Sequence, residues 1–135
     1  MNTKVFLDSG IFVAFLNGRD HWHERAVQLF GGPTPRWTTS ILVVSETYSW
    51  FLHRLGEEAA RRFHLLVQNL EGLTLLPASM EHHEEVRKTL DRFRGSKLTY
   101  VDASSLALMA RHRITTVWST DHHLGLAGAE VLPKG

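Results

Sequence analysis

Asp8, Glu46, Asp102 and Asp121 bring carboxylates from four separate stretches of the chain, and each stands where an acid is either ordinary or chemically purposeful. Asp8 ends the apolar run 4–7 and precedes Ser9-Gly10 and a helical pattern. Asp before a helix is a common N-cap, but ligand sites of open α/β sheets also lie just beyond the carboxyl ends of strands. Asp121 follows residues 115–120 with the same ambiguity, and its neighbours Ser119 and Thr120 are able to orient a carboxylate or a bound water. Asp102 stands three residues after Thr99, the spacing of a capping box. Glu46 has Leu42, Val43, Ser49 and Trp50 as its helical neighbours. A carboxylate on that apolar face is either at the solvent edge or partly buried and in need of a counter-charge.

No single acid decides the matter; their convergence does. Two fall at expected strand ends, and a third opens an apolar helix that directly precedes the Asp121 strand. Carboxylates ~5 Å apart at an effective dielectric of about 20 repel by about 3 kcal/mol per pair, which a proton or a cation must relieve. All-oxygen donors favour hard ions such as Mg²⁺ or Mn²⁺. Such ions hold a phosphodiester, activate water and stabilise a leaving oxygen, so hydrolysis of a nucleic-acid backbone is the chemistry this set suggests.

The elements that would position these acids follow from periodicity and punctuation. An apolar strand over 4–7 turns at Asp8-Ser9-Gly10 into a helix over 11–16, and a second helix over 22–30 is stopped by Gly31-Gly32-Pro33. A short strand at 36–39 leads to helices 41–53 and 57–70, a hairpin broken at Gly56. Residues 73–76, between Gly72 and Pro77, suit a short buried strand; Ser79 caps a helix to about 94, Thr99 opens a nearly all-apolar one, and strands follow at 115–120 and 130–132. Strands alternating with helices imply an α/β fold, a mostly parallel central sheet of four to five strands with helices on both faces.

Composition permits this. The 135 residues suit one domain over 1–135, and 43% hydrophobic against 21% charged residues is a globular balance. With no Cys there are neither disulfides nor thiolate metal sites, and the chain suits a reducing compartment, so a cytoplasmic location is expected. The apolar stretch before Asp8 is too brief for a signal peptide core or a membrane span. A net charge of +1 is modest for a nucleic-acid-binding protein, but basic residues can still face phosphates if the acids are gathered in one pocket.

Phe6-Leu7-Asp8-Ser9-Gly10, Ser45-Glu46, Leu98-Thr99-Tyr100-Val101-Asp102-Ala103, Ser119-Thr120-Asp121-His122-His123 and Gly128-Ala129-Glu130-Val131-Leu132, in this order and spacing, give the whole chain a resemblance to PIN-domain proteins of the VapC type. These are the ribonuclease toxins of bacterial and archaeal toxin–antitoxin pairs. The resemblance implies a PIN-like fold, usually a homodimer, that cuts RNA with Mg²⁺ or Mn²⁺ through activated water. It further implies a cognate VapB-like antitoxin that wraps the toxin with an amphipathic helix. It places the family's acids on Asp8, Glu46, Asp102 and Asp121, with Asp8, Asp102 and Asp121 as main metal contacts and Glu46 as a further ligand or water-orienting group. The supporting polar residues are Ser9, or Ser119 and Thr120. Many members carry a polar residue where this chain has Gly10, and some add an acid where His122 and His123 stand.

Among other features, the adjacent His pairs match no zinc pattern, since neither Cys nor an HExxH run accompanies them. His122 is the one whose place beside Asp121 brings it toward substrate phosphate. Arg87, Lys88, Arg92, Arg94, Lys97, Arg111 and Arg113 are basic residues available to RNA, although many such charges merely solvate helix faces. Trp50 and Phe51 suit dimer or antitoxin contacts. Phosphatase and receiver folds also set acids at strand ends, but the former need an Asp where Gly10 stands, and the latter an acidic pair after the first strand and a late Lys. The remaining alternative is a non-catalytic PIN-like module that binds RNA or protein.

Overall fold

Val5, Phe6 and Leu7 of β1 (Lys4–Leu7) are all buried, and because successive strand residues point to opposite faces, β1 is covered on both. The computed structural model describes residues 3–134; Met1, Asn2 and Gly135 of the expected 1–135 domain lie outside them. After β1 come α1 (Ser9–Leu16), α2 (His23–Gly31), β2 (Arg36–Ser40), α3 (Ile41–Leu55), α4 (Glu57–Asn69) and β3 (Thr74–Leu76). Then follow α5 (Met80–Arg92), α6 (Tyr100–Arg111), β4 (Thr116–Trp118), a 3₁₀ turn (His122–Gly125) and β5 (Glu130–Leu132).

The strands form one five-stranded sheet in the order β3-β2-β1-β4-β5, with every neighbouring pair parallel. Parallel neighbours need a long crossover, usually helical, which accounts for the helices between most of the strands. From β1 the chain builds outward through β2 and β3 on one side, then returns to place β4 and β5 on the other. The direction of winding therefore reverses at β1. Crevices outside the carboxyl ends of strands at such a reversal are where open α/β sheets bind ligands. Leu7 and Trp118 are paired across it, so residues 8 and 119 leave the sheet side by side.

Ser40 caps α3 and Ser79 caps α5, each through its side-chain oxygen, as their positions before the helical patterns suggest. Gly56, at φ 98°, makes the sharp link between α3 and α4 in a backbone region that disfavours other residues. Phe51 is 1% exposed and stacks on Phe63 at 5.7 Å, with Phe12 edge-on to Phe63 at 5.2 Å. It is a core residue, unavailable to the dimer or antitoxin contacts expected of it. The strand expected to be buried at 73–76 is an edge strand, with Thr74 and Leu75 exposed, since only β2 pairs with it. Residues 102–109 of α6 are buried without interruption, the pattern of a central helix.

Candidate active site

The loop after β1 supplies Asp8. It occupies the N-cap position of α1 with extended backbone, yet its side chain makes no capping hydrogen bond. Its Oδ2 accepts instead from the Ser119 hydroxyl at 2.7 Å, and its Oδ1 is buried with no hydrogen-bond partner among the described residues. Burial, reinforced by the like charges of Asp102 and Glu46 and opposed by the Ser119 hydroxyl and the Ser9 backbone N–H, pushes the Asp8 carboxyl up to about 6.

The strand expected over 115–120 ends at Trp118, which leaves Ser119, Thr120 and Asp121 in the loop beyond it. Ser119 is a junction: its hydroxyl donates to Asp8 and accepts from the Asp121 backbone N–H at 2.9 Å. Asp121 in turn caps the 3₁₀ turn, its Oδ1 accepting from the His123 N–H at 2.9 Å. Asp102 is 9% exposed and held in a full capping box, accepting from the Thr99 N–H at 3.2 Å while the Thr99 hydroxyl accepts from its own N–H at 3.0 Å. Glu46, half-buried on α3, accepts from the Ser9 hydroxyl at 2.8 Å through Oε1. The capping reading thus accounts for part of what Asp102 and Asp121 do and for nothing that the Asp8 side chain does.

Ligand atoms of Asp102, Asp121 and His123 lie within 4.8 Å of one another. Asp8 and Glu46 fall outside this tight group, tied to the crevice by Ser119 and Ser9. His122 is exposed and stacks on His123 with ring centroids 4.8 Å apart, so of the two adjacent histidines it is His123 that joins the carboxylates. The Asp-x-His spacing that lets a capped turn fold the second residue back was the available signal. Gly10 also has a steric reason: a Cβ there would stand 2.2 Å from the Thr120 hydroxyl oxygen. The space of a side chain at position 10 is taken by Thr120, which puts a polar group there from the opposite strand end.

A cleft of about 640 Å³ has Ser9, Gly10, Glu46 and Thr120 at one part of its wall and Trp50 and Arg54 at another. The Arg54 guanidinium lies 5.7 Å from the centre of the Trp50 ring. Glu46, Trp50 and Arg54 are four residues apart, one face of α3, a spacing from which Arg54 was legible although it was not singled out. Of the basic residues available to RNA, Arg87 pairs with Glu84 and Asp91, and Arg111 with Glu81 and Glu85, on exposed helix faces.

Converging carboxylates, a buried carboxylate oxygen without a partner and a nearby imidazole fit a divalent cation: oxygen donors dominate, and a cation offsets both the burial and the smaller like-charge repulsion that raise the Asp8 pKa. The family model described as PIN domain matches residues 5–129. The 23S rRNA-specific endonuclease VapC20 of Mycobacterium tuberculosis is 27% identical over 132 residues, covering 96% of this chain and 99% of that protein. The crystal structure of M. tuberculosis VapC20, described as a sarcin-ricin loop cleaving toxin, superposes with a TM-score of 0.85 at 24% identity, covering 93% of this chain and 95% of that one. A toxin–antitoxin complex from Klebsiella pneumoniae contains a chain similar at a TM-score of 0.67 and 18% identity, with 95% of each covered.

Proposed function

Because this chain belongs to the PIN-domain family, we propose that it is an endoribonuclease dependent on Mg²⁺ or Mn²⁺, the toxin half of a VapBC-type pair. The observation that carries the reading is the gathering of acids at the winding reversal around an Asp8 oxygen that is buried and unpartnered. Asp8, Asp102 and Asp121 would hold the ion, with Glu46 beside them. A bound ion supplies positive charge for the scissile phosphate and the leaving oxygen and lowers the pKa of water.

The chain's own residues do the remainder. Ser119 fixes Asp8 and the backbone of Asp121 together, so the two strand ends present their carboxylates as one unit. Ser9 occupies Oε1 of Glu46, which leaves Oε2 to orient the attacking water and take its proton. Thr120 lines the same wall and offers a hydroxyl to a phosphate oxygen. Further along, Trp50 gives a face on which a base stacks, and Arg54 gives a charge for the adjoining phosphate. The acid pocket would also attract a basic side chain of a cognate VapB-like antitoxin, which suits control by a partner. A homodimer acting on cytoplasmic RNA completes the reading; among the described residues no helix is long and apolar enough to cross a membrane.

Titrating Mg²⁺ and Mn²⁺ into purified protein with generic single-stranded RNA tests it. Products should form only with the ions, vanish with a chelator, and be absent for Asp8→Asn. Salt-dependent association without products at any ion concentration would establish the non-catalytic module instead.

A further inference from the structure

The position of His123 carries a consequence for which ion the site takes. Its Nδ1 lies 3.0 Å from Asp121 Oδ1, and it shares with Asp102 and Asp121 the closest grouping of ligand atoms among the described residues. The ring is held there twice over. Asp121 Oδ1 accepts the His123 backbone N–H, which folds the turn back on the carboxylate, and buried Leu124 anchors the same turn in the core. Atoms in neighbouring positions around an octahedral ion with bonds of about 2.1 Å are separated by about 3.0 Å, so the spacing suits two ligands of one cation as well as a hydrogen bond. Asp8, with its unpartnered buried oxygen, is linked to Asp121 through Ser119.

We infer that His123 is a direct nitrogen ligand of the ion held by Asp102 and Asp121, and that it biases the site toward a first-row transition cation, Mn²⁺ over Mg²⁺. Mg²⁺ binds oxygen and retains its waters, whereas imidazole suits transition ions. A purely oxygen-lined site would lack that bias. The inference rests on the metal-dependent reading above and adds to it the identity of one ligand and the sign of one preference. The competing role for His123 is positioning: its ring N–H would donate to Asp121 and never meet the ion, as groups behind metal ligands commonly do.

The two roles separate by spectroscopy and calorimetry on the purified full chain, with no reliance on cleavage. Pulsed electron paramagnetic resonance of the Mn²⁺-loaded protein should show nitrogen coupling from a bound imidazole, and His123→Ala should lose it. Calorimetric titration should find Mn²⁺ affinity lowered by about 10-fold or more in His123→Ala and in His123→Gln, with Mg²⁺ affinity changed by no more than about 3-fold. Mn²⁺ bound without nitrogen coupling, coupling that survives in His123→Ala, or equal losses for the two ions would overturn the ligand assignment while leaving the nuclease reading in place. Failure of the wild-type chain to bind either ion would remove both.

Discussion

A buried carboxylate without a full set of partners is costly when ionised, and Asp8 is such a group. Its pKa of about 6 in the folded chain lies above the value near 3.8 of an exposed Asp, so without an ion the folded state keeps its proton to higher pH than the unfolded state does. The corresponding stability is fully present below pH ~4 and is lost as pH rises through ~6, a difference of about 3 kcal/mol. Asp8→Asn cannot ionise while retaining an oxygen for Ser119. It should be more stable than the metal-free wild type at neutral pH and should lack that slope, as denaturant melts across this range would register. Parallel pH profiles for the two proteins would refute the burial argument. Gly10 and Thr120 offer a second check: Gly10→Ala should cost about 1–3 kcal/mol through overpacking, and Thr120→Ala in the same chain should recover most of it because the contact at 2.2 Å is gone. At this scale Asp8, Asp102 and Asp121 were legible because each sits at a boundary between elements, and Glu46 because it is a carboxylate on a largely apolar helix face. His123 had only the Asp-x-His spacing to mark it, because its part depends on how the turn after Asp121 closes.

Helix α6 shows how an element can serve fold and site together. Thr99 both starts the helix and accepts the Asp102 N–H, while its own N–H fixes the Asp102 carboxylate. Thr99→Ala is therefore expected to cost about 1 kcal/mol in thermal or chemical unfolding, and to change divalent-ion affinity by no more than about 3-fold, because the N–H that holds the Asp102 carboxylate belongs to the backbone and survives the substitution. A loss of ion affinity of about 10-fold or more would show instead that the hydroxyl's bond to the Asp102 N–H is needed to place the carboxylate. The capping box and the apolar run that follows it could be read directly from spacing. Residue 82 could not: it shares a helix face with buried Val86, but what satisfies a buried imidazole there is Ser104, 22 positions later, whose hydroxyl is 2.7 Å from its Nε2. For the same reason β3 was expected to be buried; the apolar run 73–76 does not say how many neighbours the strand will have.

Alternation of strands and helices was enough to expect a parallel sheet, but not its strand order, which is set by where each crossover returns. That order is what puts Asp8 and Ser119 side by side, although they are 111 residues apart in sequence. It also explains how a chain of net charge +1 can hold an acidic cluster: Asp8 and Asp121 are gathered beyond the carboxyl ends of β1 and β4, while helix surfaces carry paired charges such as Arg111 with Glu81 and Glu85. An ion that binds only the folded chain should stabilise it by about 2.7 kcal/mol when present at a hundred times its dissociation constant, readable as a rise in melting temperature that a chelator reverses. The most direct test is single-turnover cleavage of single-stranded RNA, with saturating Mn²⁺, by the wild type and by Asp102→Asn, which keeps the oxygen bonded to the Thr99 N–H and removes only the charge. The expected result is a fall in rate of about 100-fold or more, with the helix content and melting behaviour of a folded protein. Cleavage by Asp102→Asn at the wild-type rate would contradict the carboxylate site.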